Sequence, residues 1–441
     1  MTATLFRFAT AGSVDDGKST LVGRLLHDSK SILADQWDAI TRASEQRGFA
    51  GGERVDLALL TDGLRAEREQ GITIDVAYRY FATDRRSFIL ADCPGHVQYT
   101  RNMVTGSTTA DAVVVLIDVR HGVLEQTRRH LSVVQLLRVP HLIVAVNKID
   151  LVGYDEATFR SVERDVLAVA ADLGIDEVSV VPVSALEGDN VVNASEHTPW
   201  YDGLPLLDLL ETLEVIDEVE NTLAPFRLPV QTVIRPQGAL APGLDADAYR
   251  DYRAFAGQVA SGSVNVGDEV TVLPAGIRTR VAGIDVAGRS LDTAVASQSV
   301  ALRLSDDVDA ARGSVIVAAG EEPELVSELT ASLFWLDPRP LQPGSRVLVK
   351  YGTATVQALV TTIDGRRDLE TLELEPADRL QINDIGTARL KLAAALPLLA
   401  YSEHRRAGAF VVIQPQDGAT LAAGIVSRAG VETDPANAFT I

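Results

Sequence analysis

Eight consecutive residues constrain this chain more than any others. Gly12-Ser13-Val14-Asp15-Asp16-Gly17-Lys18-Ser19 has the spacing G-x-x-x-x-G-K-[ST]. The apolar run "LFRFATAG" precedes it, and "STLVGRLLHDS", with helical spacing, follows. Strand, glycine-bearing turn and helix in that order leave a row of backbone N–H groups at a helix start, where they attract oxyanions. The glycines let the backbone wrap phosphates closely. Lys18 reaches the β- and γ-phosphates, the Ser19 hydroxyl suits Mg2+, and Thr20 is expected among the nucleotide-binding residues. Asp15 and Asp16 are unexpected beside a polyanion. A cradle built from backbone, Lys18 and metal lets both side chains point away, although Asp15 is also suited to holding a monovalent cation.

Around this loop, residues 5–220 alternate buried strand runs with helical patterns. "RSFILAD" (86–92), "DAVVVLIDV" (111–119), "HLIVAVNK" (141–148) and "VSVVPVSA" (178–185) read as strands. "EQTRRHLSVVQLLR" (125–138) and "EATFRSVERDVLAVAADLG" (156–174) read as helices. That alternation predicts a mostly parallel sheet with helices on both faces and ligands at the carboxyl ends of its strands. Beyond about residue 222 the period changes to two. In "GSVNVGDEVTVLPAG" (262–276), Val264, Val266, Val270 and Val272 are expected on one face, with Gly267-Asp268 as the turn. Two all-β barrels are expected, so the domains are 1–222, 223–322 and 323–441. Residues 28–60 are a helical or mobile insertion.

The next three motifs lie at predicted strand ends. "NKID" supplies Asn147, Lys148, Ile149 and Asp150. A carboxylate accepts from guanine N1–H and the 2-amino group together, and adenine lacks that second donor. Asp150 therefore selects guanine. Asn147 bonds the base or braces the loop, and the Lys148 stem covers the ring. Ser184-Ala185-Leu186 offers a backbone N–H to the guanine oxygen. "DCPGH" carries Asp92, Cys93, Pro94, Gly95 and His96. Asp92 is placed for a Mg2+-bound water, the Gly95 N–H for the γ-phosphate, and His96 for orienting an attacking water. Cys93 reads as a small buried residue. "EREQGITID" supplies Thr73 as a further Mg2+ ligand that senses the γ-phosphate. Together these motifs point to GTP with Mg2+.

Bulk properties bound the partners. The net charge is −21, and no basic stripe suited to a nucleic-acid backbone is present. No apolar run approaches a membrane span and no secretory signal is visible, so neither nucleic acid nor membrane is an expected partner. Cys93 is the only cysteine, which excludes an internal disulfide and fits a reducing cytoplasm.

The motifs resemble those of the translation-factor GTPases, and more finely those of the GTP-hydrolysing large subunits of bacterial sulfate adenylyltransferase. The matching strings are "GSVDDGKSTLVGRLLHDSKSI", "LLTDGLRAEREQGITIDVAYRYF", "ILADCPGHVQYTRNMVTGSTTAD" and "INDIGTARLKL". Translation factors usually have histidine where Asp16 stands. The resemblance implies a P-loop GTPase domain followed by two β-barrels. It also implies a hetero-oligomer with a small catalytic subunit, which makes adenosine 5′-phosphosulfate and pyrophosphate from ATP and sulfate, driven by GTP hydrolysis. Some members carry a fused adenylylsulfate kinase; none is expected in the residues up to Ile441. The seven histidines form no H-x-x-H or H-x-G-H cluster for adenylyl transfer, so ATP chemistry is expected on the partner. "HRRAG" (404–408) is the nearest approach to a basic sulfate pocket, and an exposed turn is its plainer reading. A translation factor acting with tRNA and the ribosome is the alternative, and a nucleotide-switched scaffold is a third.

Overall fold

The phosphate loop owes its position to the order of the strands beside it. The computed structural model describes residues 4–29, 41, 44, 55, 57–60, 76–94, 100–236, 240, 247, 249–368 and 373–429. The chain divides into two units, Met1–Val215 with Asp368–Glu373, and Ile216–Arg367 with Leu374–Ile441.

The first unit holds strands β1 (Thr4–Gly12), β2 (Ala77–Ala82), β3 (Arg86–Asp92), β4 (Ala112–Asp118), β5 (His141–Asn147) and β6 (Val178–Pro182). Its helices are α1 (Lys18–Asp28), α2 (Thr100–Ser107), α3 (Glu125–Leu136), α4 (Glu156–Asp172) and α5 (Leu206–Thr212). The sheet runs β2-β3-β1-β4-β5-β6. β2 is antiparallel to β3, and the other pairs are parallel. Every residue of β4 and β5 is buried. Both sheet faces are therefore covered there, which is why these strands are uninterrupted apolar runs rather than alternating ones. α4 buries Phe159, Val162, Val166, Val169 and Ala170 at helical spacing. Its start is capped by Asp155, which accepts the Thr158 N–H at 2.8 Å. Phe81 stacks on Phe88 at 4.8 Å, and Phe8 meets Phe88 edge-on.

β1 has β3 on one side and β4 on the other, so chain order reverses across it. A crevice opens at the carboxyl ends of such strands. The register brings Thr10 beside Asp92, Gly12 beside Leu116, and Asp118 beside Asn147. The strand expected over 178–185 stops at Pro182. Ser184 has left the ladder and donates its N–H to the Asp189 carbonyl.

The second unit opens with α6 (Ile216–Leu223) and holds two rings of strands. The first ring comprises β7 (Arg227–Pro229), β8 (Thr232–Ile234), β9 (Ala254–Gln258), β10 (Ser263–Asn265), β11 (Glu269–Leu273), β12 (Ile277–Val286), β13 (Arg289–Leu291), β14 (Thr293–Val295), β15 (Ser299–Leu304) and β16 (Val315–Ala318). Its ladder is β7-β16-β11-β12-β15-β9-β8, with β13 on β12. β7 and β8 are successive pieces of one run that pairs with β16 at its start and β9 at its end, which returns the ladder on itself. Phe226, Leu228, Phe255, Val270, Val272 and Ile284 fill its interior.

One expectation fails here. Val264, Val270 and Val272 are buried, but Val266 is exposed. β10 pairs with β14 rather than with β11. The turn expected at Gly267-Asp268 is present, with Gly267 at φ +94° and the Asp268 carboxylate accepting the Asn265 N–H at 2.8 Å. That turn starts one residue earlier than expected and takes Val266 out of phase.

The second ring holds β17 (Val326–Trp335), β18 (Arg346–Tyr351), β19 (Ala354–Arg367), β20 (Leu374–Glu375), β21 (Ile385–Leu396), β22 (Ala409–Ile413) and β23 (Thr420–Ala429). The order β18-β22-β23-β17-β21-β19 closes through β19–β18 pairing, with β20 beside β19. Closure leaves the six strands no free edge. No helix among the described residues is long and apolar enough to cross a membrane.

Candidate functional site

Three loops meet where β1, β4, β5 and β6 end. The first is the phosphate loop. Gly12 has φ +152° and Gly17 has φ +93°. A Cβ on Gly12 would lie 2.9 Å from the Leu116 carbonyl oxygen, and one on Gly17 would lie 2.4 Å from Asn147 Nδ2. Glycine is required at both for backbone geometry and for space. Lys18 is buried, and its Nζ donates to the carbonyls of Gly12 and Ser13, both at 2.9 Å. Burial holds its pKa below the ordinary lysine value, against the opposing pull of Asp92 and Asp16.

Asp16 is buried, and its Oδ2 accepts the Ser13 N–H at 2.6 Å. Burial raises its pKa, opposed by that hydrogen bond and by the Lys18 charge. Asp15 and Val14 are exposed, and Asp15 has φ +68°. The Ser13 hydroxyl is buried without a hydrogen-bond partner. α1 has neither a capping side chain nor an acid in its first turn. A buried orphan hydroxyl and an uncapped helix start are the arrangement an oxyanion completes.

The second loop follows β5. Asn147 is buried and works as a brace: Nδ2 donates to the Asp16 carbonyl at 2.7 Å, and Oδ1 accepts the Ala185 N–H at 2.9 Å. It thus ties the phosphate loop to the turn after β6. Lys148 sits at φ +64° and donates to the Asp15 carbonyl at 2.5 Å and to Asp118 Oδ2 at 2.9 Å. Ile149 is buried in the core. The Asp150 carboxylate makes no hydrogen bond among the described residues and lies in the first turn of the short 3-10 helix Ile149–Val152. In the third loop, the Ser184 hydroxyl accepts the Glu187 N–H at 3.1 Å, and Leu186 is exposed.

Asp92, at the end of β3, is buried and accepts the Thr10 hydroxyl at 3.0 Å. The Cys93 thiol is fully buried, 3.7 Å from the Ala91 carbonyl, and burial pushes its pKa up. It is a packing residue against Gly106, not a nucleophile. Pro94 is also buried. Ser19 and Thr20 are half-buried on α1. Thr73, Gly95 and His96 lie outside the described residues.

Asp118 is a residue the motifs do not reveal. It is buried at the end of β4 and takes Arg120 in a fork, Nε to Oδ1 at 3.0 Å and Nη2 to Oδ2 at 2.6 Å, as well as Lys148. Burial pulls its pKa up, but the hydrogen bonds from Arg120 and Lys148 outweigh it and leave the carboxyl well below the usual range. The one sequence signal is an aspartate ending an apolar strand in register with Asn147.

Comparisons with known proteins agree with this geometry. Residues 3–223 match the family described as "Elongation factor Tu GTP binding domain", and residues 328–427 match "GTP-eEF1A C-terminal domain-like". The "Sulfate adenylyltransferase subunit 1" of Cellvibrio japonicus is 47% identical over 96% of this chain and 86% of its own length. The "Bifunctional enzyme CysN/CysC" of Mycobacterium tuberculosis is 47% identical over 96% of this chain and 67% of its own length. This chain belongs to the sulfate adenylyltransferase subunit 1 family. It lies within the elongation factor Tu group of GTPases.

A member of this family binds GTP with Mg2+, and the residues fit both. The cradle admits no side chain at Gly12 or Gly17, Lys18 lies against its carbonyls, and α1 starts there without a capping side chain. Hydroxyl and carboxylate oxygens, from Ser19 and Asp92, are hard donors of the kind Mg2+ takes. Among the described residues no three His, Cys, Asp or Glu side chains cluster to hold a metal alone.

Proposed function

We propose that this chain is the GTP-hydrolysing subunit of a cytoplasmic sulfate adenylyltransferase in sulfate assimilation. Its partner, a small catalytic subunit, converts ATP and sulfate to adenosine 5′-phosphosulfate and pyrophosphate. The observation that carries the reading is 47% identity across 96% of the chain to a protein named for that activity. The translation-factor alternative has less support, because the chain is acidic and lacks a basic stripe for RNA.

The residues divide the work as follows. Lys18 and the backbone of residues 12–20 hold the β- and γ-phosphates and take up charge as the γ-phosphoryl group leaves. Ser19 and Thr73 would hold Mg2+ directly and Asp92 through water; the ion, when bound, neutralises phosphate charge. Asp150 accepts from guanine N1–H and the 2-amino group. The Lys148 stem, fixed by Asp118 and the Asp15 carbonyl, covers the ring, and the turn of Ser184, Ala185 and Leu186 closes over the base edge. Gly95 offers its N–H to the γ-phosphate, and His96 orients the attacking water.

Co-purification with the small subunit tests the reading, followed by assay of both reactions. Adenosine 5′-phosphosulfate formation should rise with GTP, and GTP turnover should rise with ATP and sulfate together. Turnover indifferent to both, with stimulation by ribosomes, would favour the translation-factor alternative.

A further inference from the structure

The second unit contains a cleft of about 260 Å3 between its two rings of strands. Its charged lining runs against the character of the chain. The protein carries 61 acidic and 40 Lys+Arg residues, yet among the described residues no carboxylate lines this cleft. Arg227 of β7, His404 and Arg406 do. The latter two belong to the "HRRAG" turn, and the structure sets that turn opposite a third base from the other ring.

Arg227 is the informative member. Its guanidinium is half-buried and makes no hydrogen bond or ion pair with any described residue. Burial holds its pKa below the ordinary arginine value, with the neighbouring Tyr351 acting against the shift. Tyr351 cannot serve as its acceptor in the manner of a carboxylate. Its hydroxyl already donates to the Pro397 carbonyl at 3.3 Å and accepts the Leu399 N–H at 3.2 Å. A desolvated, unpaired guanidinium is costly, and its planar fork of donors suits two oxygens of one anion. The remaining wall is largely apolar, with Val259, Val315 and Leu399 among its residues. The volume lies just below the range usual for small-molecule pockets and exceeds what one tetrahedral oxyanion fills.

We propose that this cleft is a binding site for a small organic phosphate or sulfate ester, with the oxyanion on Arg227, assisted by Arg406 and His404, and a compact apolar body against Val259, Val315 and Leu399. The site lies wholly within the second unit and has no residue in common with the nucleotide site. Its occupation is a separate event from GTP binding.

Isothermal titration of the full chain, saturated with GDP and Mg2+ at fixed ionic strength, tests the assignment. The probes are phenyl phosphate, phenyl sulfate, inorganic phosphate and inorganic sulfate. At least one phenyl ester should bind with a Kd tenfold or more below that of its inorganic ion, and which ester does so identifies the oxyanion. Arg227→Met should raise that Kd at least tenfold, Arg227→Lys should fall between, and basal GTP turnover should stay unchanged in both. The ligand-free methionine variant should melt no lower than the parent, because the guanidinium it loses bonds to no described residue. Absence of ester binding, equal affinity for the bare ion, or binding indifferent to Arg227→Met would overturn the proposal. So would failure of the methionine variant to fold, since that would make Arg227 structural.

Discussion

The Asp16 carboxylate turns back on the Ser13 amide, 2.6 Å away, inside the loop that faces phosphate. The Asp16 N–H also donates to the Ser13 carbonyl at 3.4 Å, so the two residues close a turn on each other. An acid is tolerated in this loop because its charge is spent on the loop's own backbone and lies close to Lys18. It still costs something. Burial raises the pKa of Asp16 above 3.8, so the folded chain holds that proton more tightly than the unfolded chain does. This contribution to stability is complete below the ordinary carboxylate value and is lost as pH rises through the folded value. Asp16→Asn keeps an oxygen to accept the Ser13 N–H and removes the charge. Its melting temperature should exceed the parent's at pH 7, with the gap narrowing toward pH 4. Its GDP affinity should rise about threefold to tenfold, as one like charge near the phosphates disappears. Melting curves across that pH window, with calorimetric titration of GDP, check both.

Asp118 predicts the opposite pH behaviour. Its pKa is depressed because hydrogen bonds from Arg120 and Lys148 outweigh burial, so its stabilisation is present above the unfolded carboxylate value and lost as pH falls through the folded one. Asp118→Asn should lower stability by about 1.5–3 kcal/mol at neutral pH, the range for hydrogen bonds to a charged group. The deficit should close in acid. GTP affinity should fall about tenfold because Lys148 exchanges a carboxylate acceptor for a neutral amide oxygen and keeps unchanged only its bond to the Asp15 carbonyl. Denaturant titration at pH 7 and at steps below about pH 4, between the unfolded and folded values, checks the sign.

Gly17 carries a steric prediction. An added methyl would sit 2.4 Å from Asn147 Nδ2 at φ +93°, so Gly17→Ala must displace the brace between the phosphate loop and the Ala185 turn. A stability loss of about 1–3 kcal/mol and loss of measurable GDP binding are expected, by melting and titration.

His96→Ala tests the proposed water-orienting role separately from binding. GTP affinity should stay within about threefold while turnover falls about a hundredfold or more, as for loss of a positioned acid–base group. Single-turnover kinetics with GTP in limiting amount separates the two. A parallel loss of affinity would make the residue structural.

The parts of this site that were legible in the sequence are those whose residue type alone dictates a role. Gly12 and Gly17 are such residues, because their positive φ and close neighbours leave no room for a side chain; the roles proposed for Lys18 and Asp150 rest on what phosphate and guanine require. β4 and β5 were legible because strands buried on both faces are continuous apolar runs. The rest depends on register. Asp118 gains its importance only because β4 and β5 align it with Asn147. Val266 was misread because pairing of β10 with β14 is non-local and invisible to a period-two pattern. Arg227 is one arginine among many until a turn from the other ring stands opposite it.

Asn147 was open to two readings, base contact or brace, and the structure gives both of its polar atoms to the brace. That assignment separates it from Asp150, three residues on. Asn147→Ala removes two buried hydrogen bonds and should lower stability by about 2–3 kcal/mol. It should weaken GTP and xanthosine triphosphate alike, because the loop that holds their common phosphates loses its tie, and guanine preference should persist. Asp150→Asn should leave stability within about 0.5 kcal/mol, since its carboxylate bonds to no described residue. It should reverse the preference, because an amide N–H suits the 2-oxo group of xanthine where the carboxylate suited the 2-amino group. Competitive titration of the two triphosphates on both variants decides the matter. Lost guanine preference in Asn147→Ala would return that residue to the base.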